Sequence, residues 1–484
     1  MKKLERALTL FPVSAIVIGS VVGSGIFVVS ADMARGLGSA PLLLLVWLIT
    51  GLMTLLGAFT QCELVAQMPV TGGLYTYLRE IFGERIGFLY GWANFMIAGS
   101  GAIAALAFIF ANYLGEFVTL PRLSPELEKL PVTIPFIGSF FPLADLGTKT
   151  AGALLIAVLT ALNMRGVKLG ALVQSVSTSS KILVILFVVL AAFSASGSVS
   201  HFSGVAPGHV ALGGWALIGA IGMAMSGAFW SYDGWGNVAY IAGEVRDPSK
   251  TIPRAIVLGT FGFISLYLLI NLAYLYVLPI EAVGASPHDR VAATMMETVM
   301  GHRGAMLVAA LIILSSADTS NSTILTNARV YYAMAHRQVF SPRCGEVHSR
   351  FHTPHLALLY QGLWSIVLLM SGSFDLITSM YVFVNWLLYI LMAVGVFVLR
   401  YRHPARARPY KTPGYPFVPG LFILLSAIFL IVTLVTDIQA FRAGQQPAIK
   451  SVMGLLLVFS GLPFYLYWKR ASARLQLNTG VSGT

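Results

Sequence analysis

The chain has 484 residues, of which 57% are hydrophobic and only 10% charged, and its formal net charge is +12. Soluble domains carry about 25% charged residues, so a soluble globular protein of this size is excluded for want of surface charge. The basic excess fits membrane orientation, since cytoplasmic loops collect Lys and Arg, better than nucleic-acid binding, and two cysteines, Cys62 and Cys344, are too few for a disulfide framework.

A membrane-spanning helix needs roughly 20 predominantly apolar residues. Apolar runs between charged or Pro/Gly punctuation predict twelve spans, near 10–34, 40–66, 86–115, 150–164, 170–196, 213–243, 254–279, 303–334, 355–372, 375–400, 417–437 and 449–468. The first run is too long for the apolar core of a cleavable leader and reads as the first span. It holds Gly19-Ser20-Val21-Val22-Gly23-Ser24-Gly25. Glycine inside a helix costs about 1 kcal/mol against alanine and opens backbone geometries closed to other residues. Two readings fit: an interrupted helix, or a small-residue packing motif of the Gly19-x-x-x-Gly23 kind. Residues 98–101 of the third span (Ala-Gly-Ser-Gly) are small, and Leu120 to Thr150 forms the longest loop on the outer side.

Lys181 follows a hydroxyl-rich stretch in the fifth span. Entering near Gly170, it lies ~16 Å deep at 1.5 Å per residue. It is either a fixed cation where a coupling sodium would otherwise sit, since buried ammonium groups are costly and functional, or a side chain that snorkels to the cytoplasmic face. The sixth span is interrupted by Ser231-Tyr232-Asp233-Gly234-Trp235-Gly236-Asn237, preceded by Phe229 and Trp230. Asp233, in the break, serves backbone capping rather than transport. Tyr267 sits mid-way along the seventh span, where a ring acts as a lid or as packing. Asp318 lies mid-way along the eighth, among Ser315, Ser316, Thr319, Ser320 and Asn321. It is a proton carrier or a member of a hydrogen-bonded packing cluster.

Spans 1 and 6 each open a block of five. Matched interruptions in two halves are the best sequence pointer to a transport site. A broken helix exposes N–H groups on one side and carbonyls on the other, and in lipid these must be buried in protein or face a wet cavity. The N–H end suits a carboxylate and the carbonyl end an ammonium. Side by side, two such breaks form a receptor for a zwitterionic α-amino acid.

With both termini on one side, 21 of the 31 Lys and Arg fall on that side and 8 on the other, with Lys181 and Arg329 inside spans. That bias predicts cytoplasmic termini and a multi-pass protein of the plasma (inner) membrane. No zincin, Walker-type or nucleophile-elbow motif is present, so an enzyme is not expected, nor is a metal, a cofactor or a nucleic-acid partner.

The ordered motifs resemble the amino acid–polyamine–organocation superfamily, within it the L-type amino-acid transporters, and especially bacterial serine/threonine and alanine/serine/cysteine exchangers. They are Gly23-Ser24-Gly25-Ile26-Phe27, Pro69-Val70-Thr71-Gly72-Gly73-Leu74-Tyr75, Asn163-Met164-Arg165-Gly166-Val167-Lys168, Trp230-Ser231-Tyr232-Asp233-Gly234-Trp235, Pro253-Arg254-Ala255 and Arg329-Val330-Tyr331-Tyr332-Ala333-Met334-Ala335. The resemblance implies an all-α, LeuT-like fold of one domain (1–484). Two inverted repeats of five helices (about 10–196 and 213–400) are followed by two extra helices (about 417–468), and helices 1 and 6 unwind mid-membrane. It also implies substrate contacts at Val21, Gly23, Ser24, Gly25, Phe229, Trp230 and Asp233. Trp230 and Tyr267 would gate, and Lys181 would replace sodium. Two positions depart from the pattern: Ala335-His336-Arg337-Gln338 stands in place of A-R-D-G, and Asp318 stands where a small residue is expected. The implied function is sodium-independent exchange of small neutral L-amino acids by alternating access; Asp318 keeps open a proton-coupled amino-acid or polyamine symporter. No outer-loop cysteine exists, so no disulfide-linked heavy chain is expected, and the partners are an amino-acid substrate and the lipid bilayer.

Overall fold

A computed structural model describes residues 8–69, 73–135, 137–165, 182–208 and 213–479. The chain is almost wholly helical. In order, the main helices are α1 (Leu10–Val21), α2 (Val29–Leu37), α3 (Ala40–Gln67), α4 (Gly73–Phe82), α5 (Glu84–Leu114), α6 (Leu146–Met164), α7 (Ile182–Ser194) and α8 (Gly214–Tyr232). Then follow α9 (Pro248–Val277), α10 (Val291–His336), α11 (His355–Ser371), α12 (Phe374–Arg402), α13 (Phe417–Arg442), α14 (Lys450–Phe459) and α15 (Gly461–Thr479). Among the described residues nine helical segments are long and apolar enough to cross a membrane; α1, α7 and α11 are apolar and shorter. Each of the twelve predicted apolar runs overlaps at least one of these helices; the first overlaps both α1 and α2, and the last both α14 and α15. The first part of the fifth run, with Lys181, lies outside the described residues.

Local chemistry sets the boundaries. Ser39 caps α3 by accepting from the Leu42 amide at 3.5 Å, with Pro41 in the first turn. Helix α10 bends at Gly301, whose φ of 70° is a left-handed conformation open to glycine. The long loop after α5 holds an element that the all-α reading missed: β1 (Val132–Ile134) pairs antiparallel with β2 (Gly138–Phe140). The three consecutive β-branched residues of β1, Val132, Thr133 and Ile134, favour a strand. At Gly138, φ is 142° and a Cβ would come within 2.3 Å of the Pro447 carbonyl oxygen, so the ribbon packs flat on the turn between α13 and α14.

Packing divides the helices into two bodies. Helix α9 packs along α3 and α1, and α8 packs on α3 and α2. In the other body α5 packs on α10, α6 and α11, and α6 on α11. Helix α12 touches members of both. Lipid supplies no hydrophobic drive between helices, so close approach through small residues holds each body together. Gly259 lies on Val17, where a Cβ would meet a methyl group at 2.6 Å, and Gly51 lies against Ile264. The first body is pinned by Trp47, whose ring meets Tyr232 edge-on at 5.4 Å and Tyr267 at 5.7 Å. Each such aromatic pair adds about 0.5–1.5 kcal/mol beyond its area.

Candidate functional site

The first helix stops where its glycines begin. The Val22 amide closes the last turn of α1 on the Ile18 carbonyl at 2.7 Å, and Val22 and Gly23 are extended. The chain resumes as a single 3₁₀ turn, Ser24–Phe27, before α2. The first amides of a helical segment have no partner within it; here they belong to Ser24, Gly25 and Ile26. The Ser24 hydroxyl is fully buried and has no hydrogen-bond partner among the described residues. Tyr267 of α9 closes the break from behind. Its hydroxyl donates to the Val21 carbonyl at 2.9 Å and accepts from the Gly23 amide at 3.5 Å. Tyr267 therefore holds the carbonyl of Val21, which the family resemblance implies as a substrate contact.

The sixth predicted span breaks at the matching place. Helix α8 ends at Tyr232, Asp233 is extended, Gly234 takes φ 105°, and a 3₁₀ segment covers Asn237–Glu244. The two breaks abut. A Cβ on Gly234 would lie 2.6 Å from the Ser20 carbonyl oxygen, and one on Gly25 would lie 3.0 Å from Ser231 Oγ and 3.1 Å from Trp230 Nε1. The Asp233 carboxylate faces α12, where Tyr381 and Tyr389 donate a hydroxyl to each of its oxygens. Those two tyrosines were not singled out in the sequence. A buried acid on an interrupted helix needs donors, and that demand was the one available signal.

Above the breaks opens a cavity of about 820 Å³, lined by α2 (Asp32, Arg35), α8 (Ser226, Gly227, Trp230), the start of α12 (Phe374, Asp375) and the long loop after α5. Trp230 lines it, and the Trp230 ring lies against Gly25, over the free amides. Tyr381 meets that ring edge-on at 4.8 Å. This face is bridged by ion pairs at the surface: Arg35 with Asp289 at 2.6 Å and with Asp32 at 3.1 Å, and Lys450 with Asp375.

At the other face the described residues tie α3 to α12. Helix α3 has 28 residues, about 42 Å at 1.5 Å each, and carries the chain away from the cavity. Near its far end Glu63 is fully buried. Its carboxylate takes a two-point contact from Arg400 at 2.8 and 2.7 Å and the Thr412 amide at 2.8 Å, with Arg408 3.8 Å away. Tyr415 stacks on Arg400, with the guanidinium carbon 3.6 Å from the ring centre. Planar two-point pairing is the strong form of the arginine–carboxylate contact. Glu63 thus clamps α3 to the end of α12 and the segment after it.

The remaining predicted residues separate. Phe229 is buried with its ring 3.7 Å from that of Trp386 and 4.8 Å from that of Phe429, so its side chain points away from the breaks. Asp318 is buried on α10 beside the buried Ser315, Ser316 and Ser320, and α10 touches the Ser24–Phe27 turn. Cys62 and Cys344 are both buried and unbridged, and burial pushes the Cys344 thiol up to about 12. Among the described residues no group of three His, Cys, Asp or Glu is placed to hold a metal.

Comparison with known proteins matches residues 8–459 to the family model described as amino acid permease. The chain is 28% identical over 472 residues to the serine/threonine exchanger SteT of Bacillus subtilis, covering 97% of this chain and 98% of that one. It is 26% identical to the b(0,+)-type amino acid transporter 1 of Mus musculus, over 96% of this chain and 89% of that one. The human cystine/glutamate transporter is 26% identical, over 96% and 85% respectively. With the family model spanning most of the sequence and two abutting helix breaks at its centre, the chain belongs to the amino acid permease family of multi-pass membrane transporters.

Proposed function

We propose that this protein exchanges small neutral L-amino acids across the plasma membrane, without sodium, by alternating access. It does so with twelve spans in two inverted repeats (about 10–196 and 213–400), two added helices (417–468) and cytoplasmic termini. The observation that carries the reading is the contact between the two unwound segments. The amides of Ser24, Gly25 and Ile26 offer positive dipole to a carboxylate. The carbonyl end of α8, at Trp230, and the Val21 carbonyl offer negative dipole to an ammonium. Trp230 covers the pair from the cavity, and Tyr267 holds Val21 until substrate takes its place. Gly23 contributes by keeping this backbone bare, and Phe229 only through its main chain. Lys181 serves as the fixed cation that makes sodium unnecessary. A relative named as a serine/threonine exchanger supports obligatory exchange.

Counterflow in proteoliposomes tests this. Labelled serine or threonine is expected to enter vesicles preloaded with unlabelled amino acid, equally in sodium and in choline, and not to enter empty ones. Equal entry into empty vesicles overturns exchange. The buried Asp318 favours a second reading, proton-coupled symport of an amino acid or polyamine. An imposed pH gradient then drives accumulation and Asp318→Asn abolishes it.

A further inference from the structure

A second, smaller groove lies outside the transport site. It has a volume of about 330 Å³ and is lined by Phe59 of α3, Pro253, Arg254, Val257 and Leu258 of α9, and Tyr410 of the segment after α12. Every lining residue except Arg254 is aliphatic or aromatic. Leu258 is 56% exposed in a span that faces hydrocarbon, so the groove opens to the bilayer. Lys250, Arg254 and Leu258 are all exposed and spaced four apart, which places them on one stripe of α9. Along that stripe the face runs from two cations to an apolar wall within about 12 Å. Arg246, just before α9, and Lys411, next to the lining Tyr410, are further exposed cations. Asp247, the residue before α9, is the exposed carboxylate at that end.

We propose that this groove seats an anionic phospholipid, with an acyl chain against Phe59, Val257 and Leu258 and the headgroup phosphate on Arg254, Lys250 and Lys411. The charge and the apolar wall each exclude an alternative. A zwitterionic lipid gains little from several cations around one headgroup, and a soluble anion gains nothing from the apolar wall. Juxtamembrane basic residues attract anionic lipid headgroups, each by about five-fold in occupancy. The seat also adjoins the clamp. Thr412, two residues beyond Tyr410, donates its amide to Glu63 at 2.8 Å and its hydroxyl to the Phe59 carbonyl at 3.5 Å. A lipid there buttresses the segment that holds Glu63 closed.

The test is native mass spectrometry of the full chain released from nanodiscs of phosphatidylglycerol mixed with phosphatidylcholine. The wild type is expected to retain phosphatidylglycerol over phosphatidylcholine several-fold. Arg254→Gln reduces that preference about five-fold. Val257→Trp, which fills the groove and leaves the charge alone, reduces retention of either lipid. No preference in the wild type, or no change in either variant, overturns the proposal. A change with Arg254→Gln alone also overturns it, since that is surface attraction without a seat. The proposal rests on the membrane orientation proposed above, but its readout does not require transport, so its failure is distinct from failure of the exchange reading.

Discussion

The two faces of the molecule are bridged by opposite kinds of ion pair. At the cavity face, Arg35 keeps 45% of its side-chain surface in contact with solvent and its partner Asp289 36%; such pairs contribute about 0–1 kcal/mol. At the clamp face, Glu63 has no exposed surface and Arg400 keeps 21%. Removing one member of a buried pair costs several kcal/mol because the other is left uncompensated. The resistance to opening is therefore concentrated on one side. Among the described residues the cavity lies above Trp230, and the buried Glu63–Arg400 pair lies at the far end of α3.

The largest expected effect follows from breaking the stronger lock. Glu63→Gln keeps the shape of the side chain and leaves Arg400 facing a neutral amide. The closed clamp is expected to lose about 3 kcal/mol, the low end for a buried pair because Arg400 is partly wet. The population shifts toward opening at the clamp face and closing over the cavity. A cysteine placed at Ser226, which lines the cavity, is then expected to react more slowly with a membrane-impermeant maleimide in the variant than in the parent. Unchanged labelling would remove the clamp from the account.

The contact between the breaks is the next strongest element. Gly234→Ala puts a Cβ 2.6 Å from the Ser20 carbonyl at a φ of 105°, so one break must move off the other. A side chain at positive φ alone costs about 1–2 kcal/mol, and the overlap adds to it. Uptake and amino-acid-induced thermal stabilisation are expected to fall at least ten-fold. Gly36→Ala, where a Cβ meets nothing within 4 Å, is expected to leave both intact. Equal loss in the two variants would mean that general folding, not apposition of the breaks, is being measured.

Much of this architecture is legible in the sequence, and the part that is not has a common cause. Apolar run length places the helices, because a span must satisfy its backbone within itself. The glycines at Gly23, Gly25, Gly234 and Gly236 announce the breaks because only a local backbone property is involved. Sequence cannot show who completes those breaks. Tyr267 reaches a carbonyl 246 positions away, and Arg400 reaches Glu63 across 337; both pairings exist only after helices from distant parts of the chain have packed. Phe229 shows a different failure. It neighbours Trp230 in sequence, but successive helical residues point about 100° apart. One ring therefore covers the site while the other enters the aromatic cluster with Trp386. The β-ribbon escaped because three-residue strands between prolines carry no periodicity to read.

The smallest effect belongs to the exposed pairs, and it separates the two faces most cleanly. Arg35→Gln removes the ion pairs to Asp289 and Asp32 and the hydrogen bond at 3.1 Å to the Gly284 carbonyl. Water takes over each partner, so the expected loss is under about 1 kcal/mol. The effect should also fade with salt: at 0.15 M the screening length is about 8 Å, and at 1 M about 3 Å, so wild type and variant converge in exchange rate as ionic strength rises. Glu63→Gln, whose charge never meets solvent, should show no such convergence. Two salt titrations therefore distinguish a wet latch from a dry one. If Arg35→Gln proved the more damaging of the two, or if salt rescued Glu63→Gln, the assignment of strong and weak closures would have to be reversed.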